Sequence, residues 1–137
     1  RLIAGEAFGK TAPVPVKSKL YYLDVHMDEG AQLLLPGENQ EGAVYVVSGS
    51  LAIDGETYGP ESFVYIAPEE IPDIVAQNDC RVMLLGGLPL GHRFLWWNFV
   101  ASTRERIEKA KADWASGNFP QIDGEDDILP LPGRSTG

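Results

Sequence analysis

Between Leu20 and Leu85 the chain is cut into short apolar runs by turn residues at intervals of about ten, a rhythm that restricts it to a double-sheet or barrel architecture. Leu20 to His26 alternates loosely. Ala31 to Leu35 is apolar and stops at Pro36-Gly37. Ala43 to Val47, Ser48-Gly49 and Ser50 to Asp54 read as a hairpin. Asp54-Gly55 sets a second tight turn before Glu56 to Tyr58. Phe63 to Ile66 ends before Pro68. Asp73 to Gln77 and Arg81 to Leu85 follow, separated by Asn78-Asp79. The expected fold is all-β, a jelly-roll barrel of about eight strands with one C-terminal helix, in a single domain over 1–137.

The helix is announced by the stretch from Gly91 to Trp114. Ser102 and Glu105 have the spacing of a capping box, and Gly117 is a stop signal, so the helix is expected over about 103–116. Ile107, Ala110 and Trp114 form one apolar stripe, and Glu105 with Lys109 an exposed i,i+4 pair. Phe94 to Val100 reads as one strand. Phe94, Trp96 and Asn98 then point one way and Leu95, Trp97 and Phe99 the other. Aromatic residues on both faces imply a buried strand, or one whose face docks on another domain or subunit. Beyond the helix, 120–137 is expected as an extended tail, with an acidic turn at Asp123 to Asp127 and a proline-stiffened segment from Ile128 to Pro132.

Charge excludes some partners. The net charge is -9, and from Leu20 to Cys80 there are twelve Asp or Glu and no Lys or Arg. Nucleic acid and anionic membranes both demand clustered cations, so neither is an expected partner. No apolar run approaches membrane-spanning length. A single cysteine, Cys80, forbids an internal disulfide, and the default compartment is the cytoplasm. Cys80 is expected as a small core filler beside Arg81.

Gly30, then Tyr45-Val46-Val47-Ser48-Gly49-Ser50, Gly59 and Pro68 resemble the turn framework of cupins. Metal-binding cupins use histidines and a carboxylate at fixed offsets, suited to iron, manganese, nickel or zinc. Carried onto this chain, the four ligand slots fall on Pro36, Glu38, Gly42 and Asp73. Proline and glycine carry no donor atom. A three-histidine site is impossible, because His26 and His92 are the only histidines. No metal and no other cofactor is therefore expected. A metal site using His26 or His92, or a weak oxygen site on Glu38, Glu41 and Asp73 for a hard cation, is a minority option beside hydrated loop side chains.

A wider resemblance covers nearly the whole chain. Leu2-Ile3-Ala4-Gly5-Glu6-Ala7-Phe8-Gly9, Ala43 to Ser50, Arg81 to Gly87, the Gly91 to Trp114 block, Gly117-Asn118-Phe119-Pro120 and Ile128 to Pro132 together resemble bacterial pirin-like proteins. Pirins usually carry two cupin domains, and the metal sits in the first. This chain looks like the second. The resemblance implies a cupin-type double-stranded β-helix, and in pirins the tail strand and helix lie against the other domain. A homodimer, or a second cupin domain, is thus expected to cover the Trp96/Trp97 strand.

Three functions follow. The first is a non-catalytic module that is structural or binds a small apolar or aromatic molecule, with Tyr45, Met83, Trp96 and Trp97 as candidate lining residues. Arg93, like Arg81, is a candidate for a ligand carboxylate, although pairing with one of the many acids is the commoner fate of such a residue. The second, implied by the resemblance, is a metal-dependent quercetin 2,3-dioxygenase. The third is a regulatory protein-binding partner. No catalytic residue is assigned: nucleophile-elbow, phosphate-loop and paired-cysteine motifs are all missing.

Overall fold

The structure is a computed structural model that describes residues 1–37, 40–124 and 129–133. Two compact units are present, Arg1–Pro89 and Leu90–Gly137. The first contains two sheets. The larger has the order β2 (Lys10–Thr11), β1 (Leu2–Ala7), β3 (Leu20–Met27), β10 (Cys80–Gly87), β5 (Glu41–Ser48), β8 (Phe63–Ile66). The smaller has the order β4 (Gln32–Leu33), β9 (Ile74–Ala76), β6 (Leu51–Ile53), β7 (Glu56–Tyr58). Every pairing in both sheets is antiparallel.

From β4 to β10 the chain shuttles between the sheets, so the core forms between them. Val44, Val46, Val82 and Leu84 from the larger sheet join Leu51, Ile53, Ile74 and Ala76 from the smaller, all buried. Burying a side chain of this size contributes about 1.5–3 kcal/mol, so this face supplies much of the folding drive. Cys80 belongs to the same core, and burial, with Asp79 beside it, pushes its thiol pKa up.

One expected connection is different in the structure. β5 and β6 do not form a hairpin, because the chain leaves one sheet for the other at Gly49. The same happens between β9 and β10 at Asn78-Asp79. The two corners lie together. Asn78 Oδ1 accepts from the Ser50 backbone N–H at 2.8 Å, and Asn78 Nδ2 donates to Ser50 Oγ at 2.8 Å. Gly49 has φ +74°, and a Cβ there would lie 2.4 Å from the Asp79 carbonyl oxygen. By contrast, Asp54 and Gly55 both have positive φ and close the β6–β7 hairpin as expected. The apolar run from Ala31 contributes a strand only at Gln32–Leu33. β1 was not anticipated from strand signals, since its centre is Gly5 (φ +76°) beside a register shift.

The second unit is a hairpin and a helix. Phe94 to Val100 is not one strand: β11 (Phe94–Trp96) and β12 (Phe99–Ala101) pair antiparallel around a two-residue loop at Trp97-Asn98. Trp97 has φ +53°, a left-handed conformation that a bulky residue adopts at a cost of about 1–2 kcal/mol. Its ring packs edge-on against Trp114 of α1 (Arg104–Ala115), with centroids 5.3 Å apart. Phe99 and Phe119 complete the cluster, and Trp114 Nε1 donates to the Leu129 carbonyl at 2.8 Å.

The helix cap is Thr103, one residue later than the expected Ser102. Its hydroxyl accepts from the Arg106 backbone N–H, so Glu105 occupies the second helical position and cannot close a box. Lys109 pairs with Asp113, not with Glu105. Ile107 is buried and Ala110 and Trp114 are half-buried, in accord with the expected stripe. At the other end, Gly117 N–H donates to the Trp114 carbonyl and Asn118 N–H to that of Asp113, a Schellman stop. Most of the acidic turn and the start of the proline-stiffened tail lie outside the described residues.

Candidate functional site

A cupin holds its metal on the inward face of the sheet, and here that face is apolar. Register sets three rungs across β3, β10 and β5: Val25–Val82–Val46, Leu23–Leu84–Val44, and Tyr21–Gly86–Gly42. The last rung is unusual in composition. Tyr21 is almost completely buried, and its phenol occupies the space that side chains at the two glycines would need. A Cβ on Gly86 would sit 2.2 Å from Tyr21 Cζ, and one on Gly42 would sit 2.7 Å from its hydroxyl. Burial pushes the phenol pKa up, so it stays protonated and uncharged at neutral pH.

The three described ligand slots do not assemble a donor set. Pro36 is buried without a donor atom, and Gly42 lies beside the Tyr21 hydroxyl. Glu38 falls outside the described residues. Asp73 is exposed, and its backbone N–H donates to Asp54 Oδ1 at 2.9 Å. Glu41 accepts from the Tyr65 hydroxyl at 3.2 Å. Of the histidines, His26 belongs to the first unit and is 73% exposed, while His92 belongs to the second and packs edge-on against Phe94. Among the described residues, no group of three or more His, Cys, Asp or Glu is placed to hold a metal ion. The residues present do not fit the transition metal of a metal-binding cupin.

The candidate ligand residues are divided between the two units. Tyr45 and Met83 are register partners on β5 and β10. Because Val44, Val46, Val82 and Leu84 face the core, strand alternation places Tyr45 and Met83 on the opposite face, outside the apolar interior. Phe63, beside Tyr45, is 63% exposed, so this outer face is aromatic and open. In the second unit, Arg93 donates to the His92 carbonyl at 2.9 Å. Trp96 is half-buried and stacked on Phe99, with Lys111 Nζ 4.8 Å from its ring centroid. The most exposed pair on the hairpin is not Trp96/Trp97 but Leu95 and Val100, cross-strand partners at 73% and 62%.

Arg81 has the acidic partner expected for it. Its Nε and Nη2 donate to the two oxygens of Asp24, at 2.8 and 3.0 Å, in a bidentate pair across β3 and β10. The hydrogen bond from Arg81 holds the Asp24 carboxyl pKa below its ordinary range. His26 Nε2 is 3.6 Å from the same carboxylate.

A cleft of about 730 Å³ opens at the β1–β2 end of the first unit, lined by Lys10, Lys17, Lys19 and Phe8, with Pro36 and Gly37 opposite in sequence. None of the candidate ligand-binding residues named from the sequence lines it. The available signal was the concentration of four cations before Leu20.

Chain shuttling between two antiparallel sheets, around a core between them, defines a cupin fold, mostly β-sheet with a C-terminal helix. Residues 22–120 match the family profile of the Pirin C-terminal cupin domain, and the chain belongs to that family. It is 43% identical over 134 residues to a pirin-like protein of Caulobacter vibrioides, covering 96% of this chain and 46% of that protein. A Pseudomonas aeruginosa protein, provisionally named as a quercetin 2,3-dioxygenase, is 29% identical over 127 residues, covering 89% and 40%. A solved quercetin 2,3-dioxygenase from Acinetobacter baumannii superposes with a TM-score of 0.79 at 25% identity, covering 99% of this chain and 48% of that one. The chain spans less than half the length of these relatives. No helix among the described residues is long and apolar enough to cross a membrane.

Proposed function

We propose that this chain is a non-catalytic cupin module, structural or ligand-binding, that works beside a second cupin domain or a second copy of itself. One observation carries the reading: Tyr21, with Gly86 and Gly42, fills the inward face where a catalytic cupin needs polar donors. The exposed Leu95/Val100 pair and the open Phe63 face supply apolar surface for a partner domain or regulatory protein. A cytoplasmic setting accords with the lone buried Cys80. The test is oxygen uptake by the 137-residue chain with quercetin and added iron, nickel or manganese. No turnover above the free metal is expected; saturable turnover would overturn the reading.

A second reading is favoured by the named relatives. The quercetin 2,3-dioxygenase similarity covers half of a longer protein. In that case this module supports catalysis located in the remainder, and substitutions at Tyr21 would alter stability of the longer enzyme without abolishing its metal binding.

A further inference from the structure

The geometry points to the cleft at the β1–β2 end as a binding site for a small aromatic carboxylate. Its volume of about 730 Å³ is in the range of small-molecule sites. Lys10, Lys17 and Lys19 line it, against one carboxylate among the described residues, Glu6. From Arg1 to Lys19 the chain carries four cations and a single acid, in a protein of net charge -9. Among the described residues no carboxylate lies within ion-pair distance of these three lysines, whereas Arg81 in the same unit is paired with Asp24. Three ammonium groups around one cleft, with no ion-pair partner among the described residues, raise the local concentration of anions.

The apolar part of the ligand is argued from Phe8. Phe8 and Gly9 are the two central residues of the β1–β2 turn, since Ala7 pairs with Lys10. Their φ values are +50° and +71°. A turn of this kind favours Asn-Gly or Asp-Gly, and Phe is strained there. The ring gains little burial in return, being 60% exposed, yet it lines the cleft beside the lysines. Strain held at an exposed aromatic residue in a cationic cleft is the arrangement expected where a flat ring is received. The ammonium groups take the carboxylate as point charges, and the Phe8 ring takes the aromatic body.

The test is an amide-resolved NMR titration of the 137-residue chain with 1-naphthoate at low salt. Saturable shifts are expected at Phe8 to Thr11 and Lys17 to Leu20. Lys17→Glu with Lys19→Glu should weaken binding by about tenfold or more. Phe8→Asn, which suits the left-handed turn and whose fold is checked by circular dichroism, should weaken it roughly threefold or more. Inorganic phosphate should bind more weakly than naphthoate and be indifferent to Phe8→Asn. The inference is overturned by no saturable shift in these segments, by equal affinity in the charge-reversed variant, or by phosphate matching naphthoate.

Discussion

Tyr21 lies against Gly86 so closely that a single methyl group at residue 86 would sit 2.2 Å from the phenol ring carbon Cζ. The two residues are register partners on β3 and β10, in the rung that continues to Gly42. A tyrosine of this bulk can face inward only because its neighbours carry no side chain.

Gly86→Ala should therefore overpack the interior and destabilise the fold by about 1–3 kcal/mol. Pairing it with Tyr21→Ala should cost less than the sum of the two single changes, because removing the ring abolishes the clash made by the added methyl group, and that methyl group fills part of the cavity the ring leaves. Denaturant midpoints of the two single variants and the double variant measure the coupling. Strict additivity would show that the ring does not depend on the glycine.

The Asp24–Arg81 pair gives a pH dependence with a definite sign. The folded-state pKa of Asp24 is depressed, chiefly by the hydrogen bond from Arg81. Its contribution to stability is thus present above the unfolded-state pKa and is lost as pH falls through the folded value. Stability in the acid limb, below the ordinary carboxylate range, should rise with pH. Asp24→Asn should flatten that rise in denaturation midpoints measured from about pH 2 to pH 7. An unchanged slope would remove Asp24 from the account.

Capping distinguishes two adjacent hydroxyl residues. Thr103 is the cap seen in the structure, with a long bond of 3.4 Å to the Arg106 N–H. Thr103→Ala should cost about 0.5–1 kcal/mol, the lower part of the range for N-caps. Ser102→Ala should be close to neutral. Thermal unfolding of both variants, followed in the far ultraviolet, tests the order; the reverse order would restore the Ser102–Glu105 box.

Much of this architecture is legible in the sequence. The β3, β8 and β10 runs, the Asp54-Gly55 turn and the Gly117 stop each carry a local physical signal, and each appears in the structure. What escaped notice depends on tertiary contacts. Gly49 looks like hairpin punctuation, but there the chain passes from one sheet to the other, and the corner is held by the bonds of Asn78 to Ser50. Trp97 has no turn propensity; its contact with Trp114 accompanies a conformation that sequence statistics disfavour. β1 is obscured by Gly5, whose missing Cβ leaves room for the Leu20 carbonyl.

The candidate site divided in the same way. The lack of donors at Pro36 and Gly42 could be read directly from residue type. That Tyr21 takes up the space beside Gly42 could not, because the contact joins strands twenty-one residues apart in sequence. Hydrophobicity groups Tyr45 and Met83 with the interior, whereas strand alternation turns them away from the core.

The central claim, that the inward face of this cupin is an apolar core without a metal-ligand set among the described residues, is tested most directly by metal analysis. The 137-residue chain, purified without a histidine tag or chelator and equilibrated with iron, nickel, manganese or zinc, would be assayed by plasma mass spectrometry after desalting. The account predicts metal far below one atom per chain, unchanged by Tyr21→Phe. Near-stoichiometric retention of any of these metals would contradict it.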